Sequence, residues 1–272
     1  MVEPQILNRK GALKAENIPT EVLELLNNGK IETVNLTEWL IVNHIQLIKT
    51  NFSGLGISNS AIEKVLSEIQ NQKKSSTMNT IKVVGEMLYQ ELKDKKEFEN
   101  ILDSLSNHPS DSIRCYAPYL ISLNEKLKIQ EKLNQAKPLV ADKHFGVREI
   151  VWMALRPEIE KNLEESIVFL IDWTKSEDEN IRRFTTEATR PRGVWCKHID
   201  RLKENPEIAL PILEHLKSDT SKYVQYSVGN WLNDVSKSQP NFVIELCKKW
   251  QKESPAKETE KIIKRAKRTI EK

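Results

Sequence analysis

Four stretches of the chain share one pattern: SNHPSDSIRCYAPYLISL (106–123), ADKHFGVREIVWMALRP (141–157), KSEDENIRRFTTEATRP (175–191) and KSDTSKYVQYSVGNWLND (217–234). Each opens on an acidic or polar turn, reaches a β-branched residue, and continues with apolar residues every three or four positions, the period of a helix. Taking Ile113, Val147, Ile181 and Val224 as equivalent anchors gives spacings of 34, 34 and 43 residues. The next position holds Arg114, Arg148, Arg182 and Gln225. Between anchors there is room for one further helix, over 122–135, 163–175 and 207–216, so each unit reads as a helix pair.

A helix pair cannot hide its apolar face alone, and successive pairs bury it by stacking. The predicted fold is therefore all-α, a HEAT-like repeat α-solenoid, curved, with a basic concave groove. Within the repeat helices, the positions at the anchor, +4 and +7 are Val147/Val151/Ala154, Ile181/Thr185/Ala188 and Val224/Val228/Trp231, which should pack inward. Upstream, apolar spacing predicts helices starting at Thr20, over 35–48, over 58–70 and over 81–92, with a polar connector at 73–79. The expected organisation is a polar arm over 1–16, N-terminal helices over 17–100, repeats carrying the site over 101–245, and a basic helix over 246–272.

Composition supports a helical chain with much solvated surface: of 272 residues, 39% are hydrophobic, 30% charged and 6% aromatic, with only 8 Gly. Forty-two Lys and Arg against 39 Asp and Glu leave +3, too little to make the whole chain a polyanion binder. The distribution is uneven, because residues 245–272 hold ten basic and five acidic side chains. Cys115, Cys196 and Cys247 lie far apart with no CxxC pair, and the five histidines are scattered, so neither a disulfide framework nor a metal site is expected. The N-terminus lacks an apolar leader core and no run of 18 apolar residues occurs, which predicts a cytoplasmic chain without membrane spans. No cofactor is implied, and a monomer is expected.

The stripe at +2, +6 and +9 of the repeat helices is polar and charged: Glu149/Met153/Arg156, Arg183/Glu187/Arg190 and Tyr226/Asn230/Asn233, with Asp234 one step on. Displayed by neighbouring helices, these groups would meet in one groove. The same residues are also what repeat proteins use as inter-helix ties, and Glu187 with Arg183 or Arg190 is an ordinary pair along one helix. Arg156-Pro157 and Arg190-Pro191 place a guanidinium just before a helix-ending proline, where its planar fork would suit phosphate. Trp231, at an apolar position, reads as core; Trp152 and Trp195 read equally well as packing or as stacking surfaces.

The strings HFGVREIVWMALRP, IRRFTTEATRPRGVW and YVQYSVGNWLNDVSK resemble the AlkC branch of the HEAT-like alkylpurine DNA glycosylases over about residues 105–240. The resemblance implies a DNA repair glycosylase, a hydrolase of the N-glycosidic bond of alkylated (N-methylated) bases in duplex DNA, acting in base excision repair without metal or cofactor. It assigns the catalytic acids to Glu149, Glu187 and Asp234. The DNA-binding groups it implies, together with the stripe, are Arg148, Trp152, Arg156, Arg183, Arg190, Arg192, Trp195 and Tyr226. After Arg192 the family's Leu-Pro-Trp-like step is replaced by Gly193-Val194-Trp195. The chemistry agrees: a cationic alkylated base needs no protonation to leave, and carboxylates would stabilise the oxocarbenium-like sugar and orient water. The alternatives are a catalytically silent repeat protein that binds DNA structure, or a protein-interaction scaffold.

Overall fold

The computed structural model describes residues 2–73 and 76–271. Among these residues all regular structure is helical, and the chain divides into two compact units. One comprises residues 1–126 and 142–154; the other comprises 127–141 and 155–272.

In the first unit the expected 35–48 helix is two helices, Leu36–Ile41 and His44–Asn51. Each has its own start signal, since Asn35 accepts from the Glu38 N–H and Asn43 from the Gln46 N–H. Asn59–Gln70 and Thr77–Leu92 follow the predicted periodicity, capped by Ser58 and Ser76. Of the connector expected over 73–79, Lys74 and Ser75 lie outside the described residues, and helix already begins at Thr77.

Within the segment expected as a polar arm, residues 6 and 9 are anchored. Ile6 is buried, and Arg9 donates from Nε and Nη2 to Glu38 at 3.0 and 2.6 Å and from Nη2 to the Glu32 carbonyl at 2.7 Å. A buried carboxylate demands such a partner, and Glu38 finds it in the segment whose polarity had suggested solvent. Thr33 is fixed likewise, its N–H and hydroxyl donating to the two oxygens of buried Asp111 at 2.9 and 3.0 Å.

The repeat helices are Asp111–Arg114, Phe145–Lys161, Glu179–Glu187 and Lys222–Ser236. The first is short because the chain restarts at Ala117–Leu123, with Pro118 in its first turn. Every residue at the anchor, +4 and +7 positions of the other three is buried. The residue after each anchor performs one local task in all four repeats: it donates to the two carbonyls five and six positions back. Arg114 Nη1 reaches His108 and Pro109 at 2.8 and 3.2 Å, and Arg148 Nη1 reaches Asp142 and Lys143 at 2.6 and 2.9 Å. Arg182 Nη1 reaches Ser176 and Glu177 at 2.8 and 2.9 Å, and Gln225 Nε2 reaches Asp219 and Thr220 at 2.8 and 3.3 Å. The residue six positions back closes the same turn by accepting a backbone N–H two residues on: His108 from Ser110, Asp142 from His144, Ser176 from Asp178, and Asp219 from Ser221.

Two of these arginines also tie one repeat to the next. Arg114 forks onto Asp142 at 2.7 and 3.0 Å, and Arg182 onto Asp219 at 2.6 and 3.0 Å. The Asp219 hydrogen bond holds the Arg182 guanidinium above its ordinary pKa.

The basic C-terminal stretch forms two helices, Pro240–Glu253 and Lys257–Ala266, not one. The second buries Thr259, Ile262, Ile263 and Ala266 against the Lys222–Ser236 helix. Its charge therefore belongs to one face of a packed element.

Candidate functional site

In the second unit, Glu179–Glu187 and Lys222–Ser236 pack side by side, and the acidic and basic residues of the stripe meet across them. Trp231, fully buried, fixes their register by donating from Nε1 to the Thr189 carbonyl at 2.9 Å. Arg190 lies just beyond the first helix and donates from Nε and Nη2 to Asp234 Oδ2 at 2.9 and 2.7 Å. Its Nη1 stands 3.4 Å from Glu187 Oε2. Glu187 Oε1 accepts from Ser227 Oγ at 2.8 Å and lies 3.6 Å from Arg183 Nη2. Ser227 is in turn 2.6 Å from the Thr186 hydroxyl. Asp234 Oδ1 accepts from Lys237 Nζ at 3.3 Å, and the Asp234 carbonyl accepts from Arg192 Nε at 3.1 Å.

Both carboxylates are nearly enclosed, Glu187 at 3% and Asp234 at 5% exposure. Burial works against the charge of Arg190, yet Glu187 and Asp234 outweigh it and hold the guanidinium above its ordinary pKa. The cluster is thus a permanently charged fork shared by two carboxylates from successive repeats. Arg183, its guanidinium carbon 4.2 Å from the Tyr223 ring centre, borders it.

Other expected site residues lie elsewhere. The Phe145–Lys161 helix continues through Pro157, so Arg156 does not stand at a helix end. Fully buried Ile159, beyond the proline, supplies apolar burial of about 2 kcal/mol against the lost hydrogen bond. Arg156 itself is 2% exposed and donates to the carbonyls of Lys197 at 2.9 Å, Ala188 at 3.1 Å and Arg190. Burial pulls its pKa below the ordinary arginine value. It pins the segment after the Glu179–Glu187 helix and has no face for phosphate, a correction to the phosphate-binding expectation. Trp152, 2% exposed, offers no stacking face either; its Nε1 donates to half-buried Glu149 at 2.9 Å. Arg148 is engaged in the turn described above. Glu149 and Arg148 belong to the first unit; Glu187, Arg190 and Asp234 belong to the second.

Trp195 and Tyr226 are exposed, at 64% and 48%. Trp195 is the one non-glycine residue with positive φ (61°) among those described, a conformation that costs an L residue roughly 1 kcal/mol or more and is retained where surroundings impose it. Ser227, Tyr223 and Lys237 were missed by sequence reasoning. Tyr223, Ser227, Asn230 and Asp234 recur at helical spacing, a signal that identifies one polar face but not which carboxylate each residue touches.

Among the described residues no helix is long and apolar enough to cross a membrane, and no group of three His, Cys, Asp or Glu residues is placed to hold a metal ion.

Residues 41–266 match the family model of the DNA alkylation repair enzymes. The chain belongs to the DNA alkylation repair enzyme family. Among solved structures, the alkylpurine DNA glycosylase AlkC of Pseudomonas fluorescens, bound to DNA containing an abasic site analog, superposes with a TM-score of 0.66 at 22% identity. The match covers 84% of this chain and 62% of that one. AlkD2 of Streptococcus mutans gives a TM-score of 0.60 at 26% identity, over 76% of this chain and 98% of its own. Of curated sequences, the uncharacterized protein YhaZ of Bacillus subtilis (strain 168) is 41% identical over 117 residues, 43% of this chain and 32% of YhaZ. The aligned part thus spans about a third of that relative. The shared helical-repeat architecture bears out the fold class read from the repeats, and the family match bears out the resemblance.

Proposed function

We propose that this protein is a DNA glycosylase that hydrolyses the N-glycosidic bond of N-alkylated bases in duplex DNA. The observation that carries the reading is the Arg190 cluster: two carboxylates, Glu187 and Asp234, held by one guanidinium in a chain whose family is that of DNA alkylation repair. An alkylated base already carries positive charge and departs without a general acid. The remaining requirement is to stabilise positive charge growing on the sugar, which a fixed carboxylate does. In the proposed roles Asp234 and Glu187 face the sugar, with Arg190 orienting both and Arg183 and Arg192 meeting the flanking phosphates. Glu149, which accepts from Trp152 Nε1, is proposed as a further catalytic carboxylate. Trp195 and Tyr226 are proposed as exposed surfaces for base or sugar.

The near-complete enclosure of Glu187 favours a second reading, in which the cluster is an inter-repeat tie and the protein binds DNA without cutting it. Incubation with duplexes carrying different methylated bases separates the two. Free base released by the wild type but not by Glu187→Gln or Asp234→Asn supports the glycosylase; binding with no base released by the wild type establishes the silent binder.

A further inference from the structure

The polar face of the Lys222–Ser236 helix is bordered on its other side by the last helix, and the contact is unusually close. A Cβ built on Gly229 would lie 2.8 Å from Arg265 Cβ and Cδ, so only glycine lets the two backbones approach this far. The consequence is that Arg265 lies over the exposed Tyr226 ring, its guanidinium carbon 4.1 Å from the ring centre, and its Nη1 donates to Asn230 Oδ1 at 3.3 Å. One turn on, Arg268 Nη2 donates to Asn230 Oδ1 at 2.9 Å and to Asn233 Oδ1 at 3.3 Å. The Asn233 amide is itself aimed by donating to the Ala266 carbonyl and the Thr269 hydroxyl.

The acceptors distinguish these two arginines from those paired with acids. Arg9, Arg114, Arg182 and Arg190 are each held by a carboxylate that cancels their charge. Lys248, Lys249 and Lys267 of the C-terminal stretch have Glu partners. Among the described residues, Arg265 and Arg268 are positioned by asparagine side chains, an aromatic ring and, for Arg268 Nε, the Arg265 carbonyl at 3.2 Å, with no carboxylate within 4.0 Å. Neither meets a carboxylate, and Arg268 is exposed. Such an arrangement costs orientation entropy in advance and leaves positive charge for an external anion. Arg192, held by the Asp234 carbonyl, stands at the other end of the same helical face. From Tyr226 to Asp234 the helix rises about 12 Å, which matches three to four phosphates of one strand at about 3.4 Å along a duplex axis.

We propose that Arg265 and Arg268 form a phosphodiester-binding pair that continues the DNA contact from Arg192 along the Lys222–Ser236 helix. This rests on the DNA-directed reading given above, and the test separates the two. Binding of a short duplex to the full chain is measured over a salt series for the wild type, Arg268→Gln, the Arg265→Gln/Arg268→Gln double variant, and Arg201→Gln, an exposed arginine paired with Glu164. Base release from methylated duplex is followed in parallel, and thermal melting checks folding. The expected result is a log–log salt slope lower by about one in the single and about two in the double variant, with affinity down roughly tenfold in the double at low salt, and no change in Arg201→Gln. Wild-type slope in Arg268→Gln, where the side chain is exposed and folding least disturbed, overturns the pair while leaving the glycosylase intact. Lowered slopes without any base release by the wild type sustain the pair and refute the glycosylase. A wild type that does not bind duplex DNA overturns both.

Discussion

Arg190 places two donors on a single oxygen of Asp234, Nε at 2.9 Å and Nη2 at 2.7 Å, leaving the other oxygen to Lys237. A carboxylate held this way keeps its orientation without being fully neutralised by a symmetric fork. It also leaves Arg190 Nη1 for Glu187, so one residue between two repeats sets the position of both acids.

The proposed chemistry therefore predicts that Glu187→Gln and Asp234→Asn each lower single-turnover base release by at least about 100-fold, the usual effect of removing a group that stabilises transition-state charge. DNA affinity should be unchanged or higher, since a negative charge is removed. Glu149→Gln is expected to lower release with affinity retained. Undiminished release in all three, measured at saturating protein, leaves the acids with a structural role alone.

The Arg182–Asp219 fork predicts a structural phenotype. Asp219→Ala strands Arg182, whose side chain is 14% exposed, and should lower unfolding free energy by about 3 kcal/mol. Denaturant titration measures this. A loss below about 1 kcal/mol would place the pair among weak surface bridges.

Buried His44 sets an acid limit. Its Nδ1 lies 2.6 Å from the Tyr116 hydroxyl, and burial pulls its pKa from 6.5 to about 4. The folded chain therefore binds this proton more weakly than the unfolded chain, so His44 subtracts no stability above pH 6.5 and destabilises increasingly as pH falls from 6.5 towards 4. The full difference amounts to about 3 kcal/mol. Unfolding free energies at pH 7 and pH 4.5 should converge in His44→Asn relative to wild type; identical pH slopes would show that His44 does not titrate in this window.

Gly193 is closed in by Cys196 and Arg156, where a Cβ would stand 2.2 Å from the sulfur and 3.1 Å from the guanidinium carbon. Burial raises the Cys196 pKa above its ordinary value, with Arg156 and Arg190 opposing it in part. Cys196 should consequently react slowly with iodoacetamide at pH 8, and Gly193→Ala should speed its labelling several-fold by displacing the segment. Equal labelling rates, read by mass spectrometry, would mean the segment absorbs the methyl group without opening.

The division between what the chain's order of residues determined and what packing decided follows from distance along the chain. The repeat helices and their buried anchor, +4 and +7 positions were legible because apolar residues within a helical turn or two of one another carry that pattern; the recurring polar residue after each anchor was visible, but its turn-closing role was not, and Arg148 was expected on DNA instead. Gln225 keeps the turn contact but has no charge to extend to a further carboxylate, and this too is visible in the letter at that position. The fates of Trp152, Arg156 and the N-terminal segment were not legible. Arg156 and Arg190 share a place before proline, yet the first is sealed under carbonyls 32 to 41 residues away and the second bridges to an acid 44 residues on. Which polar side chain is buried depends on what another repeat brings over it, and only the folded chain supplies that: the same residue type becomes a latch, a shared fork or a cation that meets no carboxylate according to whether its acceptor is a backbone carbonyl, a carboxylate or an amide.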